Sequence, residues 1–158
     1  LQAAAWGMNG TNLSGVDSNG GITKAEFERM GFDSTTHYQF AHFTNMNRDY
    51  LEILEDVKRQ YETIEKNYTK TIYFPHASIG WDNNPRFRRY NEYFARNNTP
   101  ENFEKALRMA KDYLDRHPEQ PKLVTLNSWN EWTETSYLEP DDLYGYGYLD
   151  VVKRVFGE

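Results

Sequence analysis

The sequence predicts an α/β fold built from about three strand–helix units. Apolar residues alternate in short segments and recur every three to four residues in longer ones, and the two periods follow each other along the chain. The 158 residues, 38% hydrophobic and 27% charged, suffice for one core and lack the composition of a disordered chain. We therefore expect one globular unit over residues 1–158.

The first half of the chain predicts helix, strand and helix in that order. Thr23 and Glu26 have the spacing of a capping box and begin a helix over 22–30, which leads into a short strand over 31–38. Residues 47–67 then form a long amphipathic helix. Its expected buried stripe consists of Leu51, Leu54, Val57, Tyr61, Ile64 and Tyr68.

The second half repeats the pattern. Residues 71–79 and 122–128 are strands, and between them a helix begins at Thr99-Pro100-Glu101 and ends at His117-Pro118. The apolar face of this helix comprises Phe103, Ala106, Leu107, Ala110, Tyr113 and Leu114. A last helix over 146–156 is expected to turn Leu149, Val152 and Phe156 inward.

Unusual polar and aromatic residues follow the end of each predicted strand. His37 and Tyr38 follow the first, Trp81 and Asp82 the second, and residues 129–134 the third. Successive strand–helix units predict parallel strands. Both (β/α)₈ barrels and open doubly wound sheets place their sites at the carboxyl ends of such strands, so periodicity leaves the two architectures open.

The third strand ends in two glutamates, Glu131 and Glu134, among two tryptophans. Glycosidic bond cleavage needs one carboxyl group that protonates the leaving oxygen and a second that acts as base, nucleophile or charge stabiliser. Flat aromatic rings such as Trp129 and Trp132 suit the C–H faces of a sugar, and Asn130 can bond a hydroxyl group. The pattern therefore predicts a carbohydrate site with Glu131 and Glu134 as catalytic residues.

Three blocks in this region carry a family resemblance. Trp-Asn-Glu-Trp-Thr-Glu (129–134), Tyr-Leu-Glu-Pro-Asp (137–141) and Tyr-Gly-Tyr-Gly-Tyr-Leu (144–149) occur in the order seen in glycoside hydrolase family 99-like proteins. The chain resembles this group, which includes endo-α-mannosidases and WbsX-type proteins of polysaccharide gene clusters. Weaker matches at Gly-Phe-Asp (31–33) and Gly-Trp-Asp-Asn-Asn-Pro-Arg (80–86) extend the resemblance to roughly residues 25–156.

The resemblance implies a (β/α)₈ TIM-type barrel whose last three strands lie in this chain. A whole barrel needs about 250 residues, so the chain is expected to be a C-terminal fragment. The missing N-terminal half would come from an upstream piece, from a segment deleted from the sequence, or from a partner chain. The resemblance also assigns Glu134 as general acid/base, and Glu131 as the carboxylate that assists attack by the sugar's own 2-hydroxyl, with retention through a 1,2-anhydro sugar.

Two residues depart from the family pattern. Thr133 stands where the mannosidases have His, which leaves mannose specificity open. Thr135 stands where the wider group usually has Gly, and a β-branched residue resists a positive φ.

The other candidates have ordinary alternatives. Trp81, Asp82, His37 and Tyr38 are predicted to contact substrate, but Asp-Asn-Asn-Pro (82–85) is also common turn chemistry, and a lone His is usually structural. Arg86 is expected to pair with a surface carboxylate. Residues 17–27 resemble the later part of a calcium-binding loop, but its first ligand position falls on Gly15, which has no side-chain oxygen.

Composition excludes several classes. A net charge of −6 and a pI near 5.3 argue against nucleic-acid binding, and without cysteine neither disulfides nor Cys-ligated metals form. The four histidines lack metal-ligand spacing, so no metal or cofactor is predicted. Neither a membrane span nor a complete signal peptide is visible, although a secreted or periplasmic location suits a polysaccharide enzyme.

Two functional classes remain. The first is a retaining glycoside hydrolase. The second is a non-hydrolytic sugar protein, either a glycosyltransferase of surface-polysaccharide synthesis or a carbohydrate-binding protein that uses the same cleft.

Overall fold

Short parallel strands follow one another in sequence order through the computed structural model, which describes residues 2–5, 29–67 and 71–157. Strand β1 (Gln2–Ala5) pairs along its length with β2 (Ser34–His37), which in turn pairs with β3 (Ile72–Tyr73). Strand β4 (His76–Ser78) pairs with β5 (Thr125–Asn127). All these pairings are parallel, which confirms the prediction that successive strands are parallel.

The strand predicted over 71–79 is divided into β3 and β4 by Phe74 and Pro75. The amide of Phe74 still donates to Thr35 on β2, at 2.9 Å, whereas the carbonyl of Pro75 accepts from Thr125 on β5, at 3.0 Å. Proline has no amide hydrogen to continue a ladder. One stretch of chain therefore pairs first with the strand on one side and then with the strand on the other.

Helix α1 (Tyr50–Asn67) packs a continuous stripe against the sheet. The buried apolar residues are Tyr50, Ile53, Leu54, Val57, Tyr61 and Ile64. The prediction that Leu51 is buried is wrong, because the stripe begins at Tyr50 and Leu51 is turned about 100° away, where it is 37% exposed. Tyr68, the last predicted member, lies outside the described residues.

Helix α2 (Pro100–Arg116) confirms its predicted start and apolar face. Thr99 caps it by accepting a hydrogen bond from the amide of Asn102, and Pro100 occupies the first turn, where no amide hydrogen is needed. The buried face packs against β4 and against helix α3 (Gly147–Phe156).

The face of α3 that packs inward differs by one position from the prediction. Tyr148, Val151 and Val155 are buried, Leu149 and Val152 are partly buried, and Phe156 is 38% exposed. Tyr148 sets this rotation, because its ring packs edge-on against Phe103 of α2 and its hydroxyl donates to the carbonyl of Asn98 at 2.5 Å.

Two sequence patterns near the start of the chain cannot be compared with the structure. The helix predicted over 22–30 lies almost entirely, and the calcium-loop resemblance over 17–27 wholly, outside the described residues. Strand β1 was not predicted, because Gln-Ala-Ala-Ala shows no apolar alternation. Within 2–5, 29–67 and 71–157, no helix is long and apolar enough to cross a membrane, and no group of three or more potential ligands could hold a metal ion.

Candidate active site

A cleft of about 390 Å³ opens along one face of the strands. Its floor is polar, and the polar side chains there form hydrogen bonds with one another. Thr36 and Thr125 approach to 2.6 Å through their hydroxyl oxygens, and the ring of His76 bonds Thr125 at 2.9 Å and Ser78 at 2.8 Å. Burial, aided by the neighbouring histidines, lowers the pKa of His76 well below its usual value, so this floor is uncharged.

The chain beyond β5 forms a small hairpin at the rim of the cleft. Strand β6 (Asn130–Glu131) pairs antiparallel with β7 (Ser136–Tyr137), and a 3₁₀ turn, Trp132–Glu134, joins them. The hydroxyl of Ser128 donates to the carbonyl of Ser136 at 2.8 Å and accepts from the amide of Glu131 at 3.1 Å. The hairpin therefore holds both predicted glutamates at defined positions.

The loop beyond β4 is bonded to this hairpin. The amide of Asp82 donates to the carbonyl of Glu134 at 2.8 Å, and the hydroxyl of Thr135 donates to the carbonyl of Asp82 at 3.2 Å. Gly80 lies at the junction, where an added Cβ would clash with the side-chain amide of Asn98 and stand 3.2 Å from the carbonyl oxygen of Thr135. Loops from two adjacent strands therefore meet without a side chain between them.

Arg86 bridges the two predicted catalytic residues. Its Nη1 lies 2.8 Å from Oε1 of Glu134, and its Nη2 lies 3.0 Å from Oε1 of Glu131. Its Nε donates to the hydroxyl of Thr133 at 2.7 Å, and that hydroxyl donates to Glu131 at 2.7 Å. One guanidinium thus contacts both carboxyl groups and the threonine between them.

The surroundings of the two carboxyl groups differ in kind. Glu134 is 6% exposed, and its Oε2 is buried without a hydrogen-bond partner among the described residues. Burial raises the pKa of Glu134, the charge of Glu131 adds to this, and Arg86 opposes it. The side chain of Glu131 is 33% exposed, and the Thr133 hydroxyl, followed by Arg86, lowers its pKa. Glu134 therefore holds a proton to higher pH than Glu131 does.

The aromatic candidates lie on the surface of the hairpin. Trp129 and Trp132 are 54% and 43% exposed. Trp132 is fixed, because its ring stacks on Tyr137 at 3.7 Å and its indole N–H donates to Glu139 at 2.6 Å. Asn130 is exposed beside Glu131 at the edge of the cleft. These residues offer flat faces and an amide group next to the carboxyl pair.

The candidates from the earlier strands are used in part by the fold. Trp81 packs against the core. The carboxylate of Asp82 accepts hydrogen bonds from the backbone and side-chain amides of Asn84, at 2.9 and 2.7 Å, as in the turn that Asp-Asn-Asn-Pro commonly forms. His37 is 2% exposed, and its ring bonds Tyr73 at 2.8 Å and Gln60 of α1 at 3.2 Å. Tyr38 is 40% exposed at the edge of the cleft. Their contact with substrate stays a prediction.

Arg86 and Thr133 are the site residues whose roles sequence reasoning missed. Arg86 was expected at a surface carboxylate, and Thr133 was noted only as a departure from the mannosidase pattern. The order of the strands could have indicated the contact of Arg86 with the glutamates, because the loops after β4 and β5 follow neighbouring parallel strands. An arginine in one loop and two glutamates in the other are therefore expected to meet.

Thr135 adopts the left-handed conformation that its side chain resists, with φ of 52°. We expect Thr135→Gly to be more stable than Thr135→Ala by about 1 kcal/mol, because only the alanine variant keeps a Cβ at positive φ. Both variants lose the hydroxyl bond to Asp82, so their difference isolates the backbone effect. Urea unfolding of the two proteins measures it, and an alanine variant of equal or greater stability would contradict the strain.

Comparison with known proteins shows the family and the fold. The family model described as Glycosyltransferase WbsX matches residues 5–152. Two proteins described as "Uncharacterized protein WxcX", from two strains of Xanthomonas campestris pv. campestris, are 29% identical over 118 residues. The match covers 67% of this chain and 14% of each relative, so the chain spans about one seventh of the curated relatives it matches.

The structure is similar to two solved structures of a GH99 endo-α-mannosidase from Bacteroides thetaiotaomicron. One, a complex with bis-tris propane, aligns with a TM-score of 0.54 at 16% identity and covers 85% of this chain and 42% of that chain. The other aligns with a TM-score of 0.52 at 16% identity and covers 84% and 39%. This likeness shows that the described strands and helices have the fold of that endo-α-mannosidase.

Proposed function

The chain belongs to the WbsX glycosyltransferase family and its structure is similar to that of a GH99 endo-α-mannosidase, and from the arrangement of its two glutamates we propose that it carries the catalytic pair of a retaining glycoside hydrolase. The proposed substrate is a poly- or oligosaccharide. The observation that carries the proposal is the contrast between a buried Glu134 with a raised pKa and a more exposed Glu131 with a lowered one. Two carboxyl groups whose environments separate their pKa values are what acid and base roles require.

In the first step, protonated Glu134 gives its proton to the glycosidic oxygen as the bond from that oxygen to the anomeric carbon breaks. Ionised Glu131 takes the proton of the attacking hydroxyl. In the family mechanism this is the sugar's own 2-hydroxyl, so a 1,2-anhydro sugar forms. The Oε2 of Glu134 has no hydrogen-bond partner in the described part of the chain, which supports the acid role, because a buried carboxyl oxygen without a donor is suited to keeping a proton.

In the second step, water opens the anhydro sugar at the anomeric carbon. Glu134, now ionised, takes a proton from this water, and the 2-hydroxyl regains its proton from Glu131. Two inversions at one carbon leave its configuration unchanged, so the product has the stereochemistry of the substrate.

Arg86 is proposed as the positioning residue of this pair. It contacts one oxygen of each carboxyl group and so sets the distance between them. It also favours the ionised form of both, which suits Glu131 and limits how far burial raises the pKa of Glu134.

We propose further that additional barrel strands complete the cleft. In the described residues, β1 pairs only with β2 and β5 only with β4, and the cleft lies along these strands. The chain covers 42% of the mannosidase chain it resembles. The remaining strands of a (β/α)₈ barrel would come from the missing N-terminal half or from a partner chain.

The alternative is a glycosyltransferase or a binding protein that uses the same cleft, and the family's description as a glycosyltransferase favours the former. Oligosaccharides of α-mannan, rhamnose-containing and other types, incubated in ¹⁸O-water with the longest chain that carries these residues, distinguish the classes. Hydrolysis places one ¹⁸O at each new reducing end. Longer products without ¹⁸O, formed when an activated sugar donor is also supplied, would indicate transfer, and binding without turnover under both conditions would indicate a binding protein.

Replacing Arg86 tests its role through the pH profile. Because the guanidinium favours ionisation of both glutamates, Arg86→Gln raises both pKa values. The base Glu131 then becomes active only at higher pH, and the acid Glu134 stays protonated to higher pH. Both limbs of the kcat/KM profile are therefore expected to move upward.

The matched control is Arg108→Gln, which removes a guanidinium paired with Glu104 on α2. We expect its profile to match that of the parent. A profile of Arg86→Gln that stays in place or moves to lower pH would contradict the bridging role.

A further inference from the structure

The loop over residues 84–91 carries an exposed cluster of basic and aromatic side chains. Phe87 and Tyr90 are 61% and 72% exposed, and Arg88 and Arg89 lie between them, also exposed. No carboxylate in 2–5, 29–67 or 71–157 forms an ion pair with Arg88 or Arg89. Two guanidinium groups without a carboxylate partner among the described residues and two largely exposed aromatic rings therefore face solvent.

Hydrogen bonds link the two ends of the 84–91 loop. The side-chain amide of Asn84 donates to the carbonyl of Asn91 at 2.8 Å, and the amide of Asn91 donates back to Asn84 at 2.6 Å. The amide of Phe87 donates to the carbonyl of Asn84 at 3.0 Å. Tyr90 rests edge-on against Phe94 at 6.2 Å. Hydrogen bonds between Asn84 and Asn91 therefore close the loop, and residues 87–90 are exposed to solvent.

The loop is joined to the candidate catalytic pair. Arg86 contacts Glu131 and Glu134, and the Cα atoms of Arg86 and Tyr90 are at most about 14 Å apart along the chain. A polysaccharide bound at the glutamates is long enough to reach this cluster. The cluster is therefore placed to bind a part of the substrate that is not cleaved.

We propose that residues 87–90 form a subsite for an anionic sugar, so that the substrate is an acidic polysaccharide. Arginine forms paired hydrogen bonds to carboxylate and phosphate groups, and the adjacent rings suit the apolar faces of sugars. The net charge of −6 opposes general attraction of polyanions, so the charge that attracts the substrate is local to this loop. The inference rests on the proposed function for the location of the cleaved bond.

Binding is tested on a Glu134→Gln background, so that the polymer is not cut. The probes are a glucuronic-acid-containing polysaccharide and the same polymer after reduction of its carboxyl groups, with a phosphorylated mannan and its dephosphorylated form as the second pair. Calorimetry compares the double variant Arg88→Gln/Arg89→Gln with the control Lys58→Gln/Lys153→Gln. The control removes two exposed charges from helices.

We expect the arginine variant to bind the acidic polymer about tenfold more weakly at low salt, with a smaller difference at high salt. The neutralised polymers and the lysine control should show no such loss. The carboxylate and phosphate arms identify which anion the loop recognises. Equal losses on acidic and neutral polymers, an equal loss in the lysine control, or tighter binding of a single-stranded oligonucleotide would overturn the proposal.

Failure of this inference and failure of the proposed function are distinguishable. An acidic polymer that binds through Arg88 and Arg89 but is never cleaved with Glu134 intact would remove the hydrolase and leave the subsite. Cleavage with no dependence on these arginines would keep the hydrolase and remove the subsite. Thermal melting of each variant verifies that it is folded.

Discussion

Glu134→Gln is expected to lower the rate of glycoside cleavage by about 10²- to 10⁴-fold, the usual contribution of a general acid. Glutamine keeps the size of the side chain, but its amide is too weak an acid to protonate the leaving oxygen. The contact of Oε1 with Arg86 can be retained by the glutamine oxygen, so the hairpin should keep its shape. The measurement is kcat/KM on the oligosaccharide that the parent cleaves best.

Leaving-group chemistry separates an acid from a merely structural residue. A substrate with a dinitrophenyl or fluoride leaving group needs little protonation, so Glu134→Gln should lose much less activity on it. Glu119→Gln, which changes an exposed carboxylate beyond α2, should match the parent on both substrates. A loss that is equally large with both leaving groups would show that Glu134 does not act as the acid.

Phe103→Ala is expected to lower the free energy of unfolding by about 3–5 kcal/mol, which would be a large part of the stability of a domain of this size. Phe103 is fully buried in α2 and packs against Tyr148, so its removal leaves a cavity between α2 and α3. Urea unfolding followed by circular dichroism gives the value.

Phe87→Ala provides the comparison, because the same side chain is 61% exposed there and its removal should change the free energy of unfolding by less than about 0.5 kcal/mol. Similar losses in the two variants would mean that the interface of α2 and α3 contributes less than its packing indicates.

The sequence predicted what depends on nearby residues. The start of α2 follows from Thr99 and Pro100, and the carboxyl pair follows from a short motif, so both are visible in a single segment. The division of the 71–79 strand was not predicted, because pattern alone does not show that a proline will end pairing on one side and start it on the other. The rotation of α3 depends on where Tyr148 meets Phe103, which no local pattern encodes.

The same limit applies to the site. Glu131 and Glu134 were identified from their own segment, but the bridge through Arg86 joins residues 45 positions apart in the chain. The differing surroundings of the two glutamates, one buried and one hydrogen-bonded to Thr133, arise only after the loops have met. Residue types indicated the chemistry, and tertiary contacts distinguish the two glutamates.

The two hydrogen bonds between Asp82 and the hairpin limit how the site can be engineered. Because the amide of Asp82 and the hydroxyl of Thr135 tie the two loops together, neither loop can be replaced alone without removing an anchor of the other. A chimera that aims to change which sugar is recognised should therefore transplant residues 80–96 together with 128–141. A library that changes the length of one loop alone would displace the atoms that bond it to the other loop.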